Sequence, residues 1–103
     1  MKLHRIVIPK GDEAKVDVEV YNHQPEGLYR YIPQEGDELT LILHKEDEEV
    51  LTVTADVTKP DFVYFNIDTT DLERGIYTYD ILIKTVDEEK PHHIVMGQEL
   101  KIV

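Results

Sequence analysis

Apolar residues in this chain recur at every second position, and a helical period is hard to find. Tyr77, Tyr79, Ile81 and Ile83 share one face of a run that opens at Gly75. Leu39, Leu41 and Leu43 do the same after Gly36-Asp37, and Val16, Val18 and Val20 after Gly11-Asp12. Leu51, Val53, Ala55 and Val57 form another such row, as do Val63, Phe65 and Ile67, and near the start His4, Ile6 and Ile8. Ile94 and Met96, then Leu100 and Ile102, make a last pair of strands broken near Gly97. A strand sends successive side chains to opposite faces, so this pattern buries one face of each strand and solvates the other. Pro9-Lys10-Gly11-Asp12, Thr58-Lys59-Pro60-Asp61 and Asp87-Glu88-Glu89-Lys90-Pro91 supply the turns. Short strands punctuated this often define an all-β sandwich or barrel. Asn22 to Pro33 reads as the longest irregular segment, with Tyr29 and Tyr31 in a short strand.

One corner narrows the choice. Glu73-Arg74-Gly75-Ile76-Tyr77-Thr78-Tyr79 places an acid, a glycine, a tyrosine and a large apolar residue at alternate positions, after the link Asp68-Thr69-Thr70-Asp71-Leu72. That is the spacing of a tyrosine corner in immunoglobulin-like sandwiches, with Tyr79 standing where antibody domains carry a cysteine. The expected fold is therefore an immunoglobulin-like antiparallel β-sandwich of about seven to nine strands, a single domain over residues 1–103. Gly75, Tyr77 and Tyr79 form its structural corner, and the Tyr77 hydroxyl should reach backbone near Leu72. Gly11-Asp12-Glu13 and Gly36-Asp37-Glu38 each precede an alternating strand. They read as one turn chemistry used twice, with a duplicated half-domain as the alternative.

Composition removes several function classes. Cysteine is absent, so the core holds without disulfides, and serine is absent as well, which takes away the two commonest side-chain nucleophiles. The 22 acids against 11 Lys and Arg give a formal charge of -11. Such a chain is repelled by phosphate backbones and by anionic lipid, so neither nucleic acid nor membrane is an expected partner. No run is long and apolar enough to span a bilayer. Met1-Lys2-Leu3-His4-Arg5 leads straight into a strand pattern, so the expectation is a complete small cytosolic protein that leaves the cytosol only within an assembly.

Candidate chemistry is sparse. Glu46-Asp47-Glu48-Glu49 and Asp87-Glu88-Glu89 lack the glycine a calcium loop needs and read as solvated turns. His4, His23, His44, His92 and His93 show no metal-ligand spacing; His92 and His93, adjacent in a strand, face opposite sides. No catalytic group, cofactor or metal is expected. Outward positions are more informative: Ile42, Phe62 and Tyr64 are apolar or aromatic residues on solvent-facing sides of strands, and they make up the candidate interface.

Ile8-Pro9-Lys10-Gly11-Asp12, Gly36-Asp37-x-Leu39-x-Leu41 and Asp68-Thr69-x-x-Leu72-x-x-Gly75-x-Tyr77-x-Tyr79-Asp80-Ile81 together run across nearly the whole chain. This set resembles small proteins encoded by tailed phages and prophages of Gram-positive bacteria. It is similar to the N-terminal immunoglobulin-like domain of upper baseplate proteins and related tail-associated modules. The resemblance implies a non-enzymatic virion building block that contacts itself or other virion proteins, a homo-oligomer held in the host cytoplasm before assembly. Two departures are visible. Val86 to His92 lacks the Asp-Gly turn of the family's closing hairpin, and no stem or receptor-binding head follows Val103, which favours a stand-alone structural or accessory subunit. A carbohydrate-binding or adhesive module is the first alternative, marked by Tyr29, Tyr31 and Tyr64 on one plane; a small hydrolase is the second, marked by opposed carboxylates across a cleft. With no complete set of ligands in any cluster, neither calcium nor zinc should move the melting temperature in a thermal scan. A rise of several degrees with either ion would overturn the inert reading of these acids and histidines.

Overall fold

The computed structural model describes residues 6–17, 20–55 and 64–103, with side chains at 20–24 and 28–30 excepted. Among these residues it is all-β, without a helix. The strands are β1 (Ile6–Ile8), β2 (Glu13–Asp17), β3 (Val20–Gln24), β4 (Gly27–Tyr31), β5 (Glu38–Lys45), β6 (Glu48–Thr54), β7 (Tyr64–Asp68), β8 (Gly75–Lys84) and β9 (His92–Ile102). They form a five-stranded sheet in the order β1-β9-β8-β5-β6 and two two-stranded sheets, β2-β7 and β3-β4.

The alternation in the sequence is what joins the layers. Leu39, Leu41 and Leu43 of β5, Tyr77, Tyr79, Ile81 and Ile83 of β8, and Leu100 and Ile102 of β9 are buried in one cluster with Phe65 and Ile67 of β7. The inward face of the five-stranded sheet therefore packs on that of the β2-β7 pair in a sandwich-like arrangement. Burying each such large apolar side chain contributes about 1.5–3 kcal/mol, so these rows dominate the stability.

Several expectations change. The sheet is mixed: β1 runs parallel to β9, with Ile6 opposite Leu100 and Ile8 opposite Ile102, where an antiparallel arrangement was expected. The reason is topological. Pro9-Lys10-Gly11-Asp12 turns the chain away to β2, and β1 is left beside the last strand. The amide of Val103 donates to the Ile8 carbonyl at 3.0 Å, and that of Lys10 to the Val103 carbonyl at 2.8 Å. Of the strand expected through Val16, Val18 and Val20, Val16 lies on β2 and Val20 on β3, with 18 and 19 outside the described residues. Most of the segment expected to be irregular is a hairpin, β3 pairing β4 with Val20 opposite Tyr31 and Gln24 opposite Gly27. The expected last pair of strands is one long strand, β9; its pairing with β8 shifts register on both sides of Ile81, and Gly97 at φ 63 lies on this irregular stretch. His4, Val57, Phe62 and Val63 lie outside the described residues.

Among the described residues two polar side chains are buried, Thr69 and Asp37, and each fixes one end of β8. At the β8 entrance the Thr69 hydroxyl accepts the Gly11 amide at 2.9 Å and donates to the Asp12 carbonyl at 2.7 Å. Lys10 Nζ donates to the Leu72 carbonyl at 2.7 Å across the same joint. Asp68 Oδ1 accepts the Thr70 amide at 2.9 Å, which shapes the turn leaving β7. Gly75 enters β8 at φ 148, a conformation open to glycine, and the Tyr77 hydroxyl donates to the Glu73 carbonyl at 2.5 Å, one residue beyond Leu72. Tyr79, two residues on, is buried in the core. The β5–β6 turn has a cost of its own, because Glu46 and Asp47 both hold positive φ, 52° and 66°, without being glycine. Replacing Tyr77 by Phe removes this part-buried bond and should lower stability by about 0.5–1.5 kcal/mol in urea denaturation. An unchanged midpoint would show that this bond contributes nothing.

Candidate interaction surface

Cross-strand pairing assembles the outer face of the five-stranded sheet from residues far apart in sequence. Ile42 of β5 lies between Thr52 of β6 and Asp80 of β8; Thr40 lies between Thr54 and Leu82; Leu82 in turn faces His93 of β9. Glu38 pairs with Lys84 at one end, and Ile76, Lys101 and Val7 lie in register at the other. Residues opposite each other in a ladder project to the same side, so this is one surface. Four of its side chains, Val7, Ile42, Ile76 and Leu82, are apolar, set among threonines, histidines and charged residues. Ile76 is 61% exposed and Val7 53% exposed, while Ile42 and Leu82 are half-buried by their neighbours. Ile42 and Leu82 line a depression of about 200 Å³ with Glu38, Thr40, Lys84 and Pro91.

The depression depends on Asp37, which stands immediately before β5. One of its oxygens accepts the Tyr31 hydroxyl and the Gln34 amide, the latter at 2.9 Å, and the other accepts the Val86 amide at 3.1 Å. That carboxylate ties the start of β5 to the β8–β9 turn, and so places Glu38, Lys84 and Pro91 around one hollow. Gly36 is required beside it: φ is 96°, and a Cβ would clash with Val86 Cγ1. Burial pushes the Asp37 carboxyl upward, but the Gln34 amide, the Tyr31 hydroxyl and the Val86 amide outweigh it and hold it below the ordinary 3.8. The same bond, with burial and the Asp37 charge, pushes the Tyr31 phenol up to about 12, so it stays a donor at neutral pH.

Further along the face, Asp80 is flanked on both sides. His44 Nε2 lies 3.4 Å and His93 Nε2 3.9 Å from Asp80 Oδ2, while Asp80 Oδ1 accepts the Gly97 amide at 2.8 Å. His92 instead pairs with Glu88. Among the described residues no group of three or more acids, histidines or cysteines is arranged to hold a metal ion.

The residues expected to form one interface are not brought together. Ile42 lies on this face, but Tyr64 projects from β7 on the outer side of the opposite sheet, since its neighbours Phe65 and Ile67 fill the shared core. Phe62 is outside the described residues. The Tyr64 side of the molecule is charged as well: Glu13, Lys15 and Asp17 pair with Asp68, Asn66 and Tyr64, and Lys15 Nζ sits 4.9 Å from the Tyr64 ring centroid. Tyr31, engaged by Asp37, belongs to a third sheet, so it and Tyr64 do not share a sheet on which a sugar ring could stack. The sequence reading did not assign Leu82, Asp80 or His93 to this surface. Once Ile42 was placed outward, the even-numbered positions of the Tyr77 strand were the signal for the first two. No protein-family model, curated protein or solved structure matches this chain.

Replacing Asp37 by Asn should cost about 1–3 kcal/mol at neutral pH, since the charged acceptor of three donors is lost. Because the folded carboxyl lies below its unfolded value, this stability is present above about pH 4 and fades as pH falls through the folded value. Urea melts of both proteins should therefore converge in acid; a gap independent of pH would contradict the ionised-acceptor account.

Proposed function

We propose that this chain is a non-enzymatic, immunoglobulin-like domain that works by protein–protein contact, as a phage or prophage structural component of the tail or baseplate. The observation that supports the contact reading is the patch that Val7, Ile76, Ile42 and Leu82 place on the outer face of the five-stranded sheet, among polar and charged neighbours. Such patches on small domains are sites of association.

The immunoglobulin-like and virion parts of the proposal draw on the resemblance. Two of the stretches that carry it are in direct contact: Pro9-Lys10-Gly11-Asp12 and Asp68 to Leu72 meet at the Thr69 hydroxyl. The Tyr77 bond to Glu73 has the local form of a tyrosine corner, in which the hydroxyl returns to backbone a few residues upstream. A charge of -11 keeps free subunits apart and soluble before they assemble.

The partner in the first instance is a second copy. Long-range repulsion between such acidic subunits is screened by salt, so association should strengthen as salt rises. Sedimentation across concentration and salt should detect a homo-oligomer, and Ile42→Glu should weaken it by roughly tenfold or more, while Tyr64→Glu should leave it unchanged. A monomer under every condition would leave only docking to a different virion protein. Equal sensitivity to both substitutions would move the contact away from the proposed face.

A further inference from the structure

We infer that the β3-β4 hairpin is a latched arm: it opens and recloses on the sandwich as a unit of its own, and the bond from Tyr31 to Asp37 is the latch. This goes beyond the proposed function and holds whatever the outer face contacts. Topology is its starting point. Among the described strands β3 and β4 pair only with each other, from Val20 opposite Tyr31 to Gln24 opposite Gly27, and no ladder joins them to the five-stranded sheet or to the β2-β7 pair. A two-stranded hairpin on its own is marginally stable at best in water, so this one depends on side chains to hold it to the body.

The described attachments lie at the base of the hairpin. Tyr31, the last residue of β4, is half-buried against the core cluster, and its hydroxyl donates to Asp37 Oδ2. At the other end Pro25, Glu26 and Gly27 are exposed. Releasing the latch does not undo the sandwich. The Gln34 amide still donates to Asp37 Oδ2 and the Val86 amide to Oδ1, so the carboxylate keeps two of its three donors and the exit of β8 stays fixed. The chain between latch and β5 favours such a movement: Ile32 is exposed, whereas Pro33 is buried and its ring fixes φ, which confines the swing to the hairpin side of Pro33. Opening at this base breaks one hydrogen bond and lifts one partly buried ring, far less than the apolar rows that hold the sheets together. Segments joined to a domain by few buried contacts open locally, without unfolding the rest.

Native-state hydrogen exchange of the full chain, followed by NMR at low, rising concentrations of urea, tests the arm and its latch. In the wild type, hairpin amides should exchange with little dependence on urea, because local opening exposes little surface, whereas amides inside β5 and β8 should accelerate steeply. Tyr31→Phe keeps the ring and removes the hydroxyl, and should speed hairpin exchange by about two- to tenfold. Tyr77→Phe weakens the sandwich at the opposite end of β8 and should leave hairpin exchange unchanged. Hairpin amides as sensitive to urea as those of β8, or sped by Tyr77→Phe as much as those of β8, would mean that the hairpin opens only when the whole domain unfolds, and would overturn the arm. Hairpin exchange unchanged by Tyr31→Phe would overturn the Tyr31–Asp37 bond as its latch.

Discussion

Strand β8 is hydrogen-bonded along both edges, to β9 on one side and β5 on the other, and its two faces do different work. Its odd-numbered residues, Tyr77 to Ile83, fill the core against Phe65 and Ile67, whereas its even-numbered residues, Ile76 to Lys84, lie on the outer surface. Because the side-chain period is two, a slip of one residue would exchange core and surface along the whole strand. The register of β8 is therefore the constraint on which both the fold and the candidate surface depend.

Each end of the strand is held by a polar group that burial makes costly to leave unpaired. At the entrance, Thr69 bridges to the β1–β2 turn, and Tyr77 closes back on Glu73. At the exit, Asp37 binds the Val86 amide and holds the start of β5 beside the β8–β9 turn. These bonds add directional pairing to a core that is otherwise only apolar. They also shape the depression floored by Ile42 and Leu82. The solvent-facing pair Lys45–Glu73, by contrast, adds little in water.

Strand positions were legible wherever apolar alternation is local: the inward rows of β5, β7 and β8 follow directly from Leu39, Phe65 and Tyr77 and their neighbours. What escaped depends on distance along the chain. The parallel pairing of β1 with β9 joins residues more than ninety positions apart, and no local pattern announces it. The β3-β4 hairpin carries polar residues and Pro25 where a strand reading looks for alternating apolar ones. Asp37 resembles an ordinary turn residue until its three donors, from Tyr31, Gln34 and Val86, are brought to it. His44, Asp80 and His93 read as unrelated surface residues because only strand order makes them neighbours. For the same reason Ile42 and Tyr64, both correctly outward on their strands, were assigned to one patch although their sheets face opposite ways.

An acidic subunit with an apolar patch on one outer face is suited to remaining separate in solution and joining through a defined contact when long-range charge is screened. That account makes the five-stranded sheet, and not the Tyr64 side, the working surface. Methyl NMR over a rising concentration series at moderate salt addresses it most directly. The methyl signals of Val7, Ile42, Ile76 and Leu82 should shift or broaden together with concentration, while signals around Lys15 and Tyr64 stay fixed. Concentration-dependent change confined to the Tyr64 side, with Ile42 and Leu82 unmoved, would contradict the account.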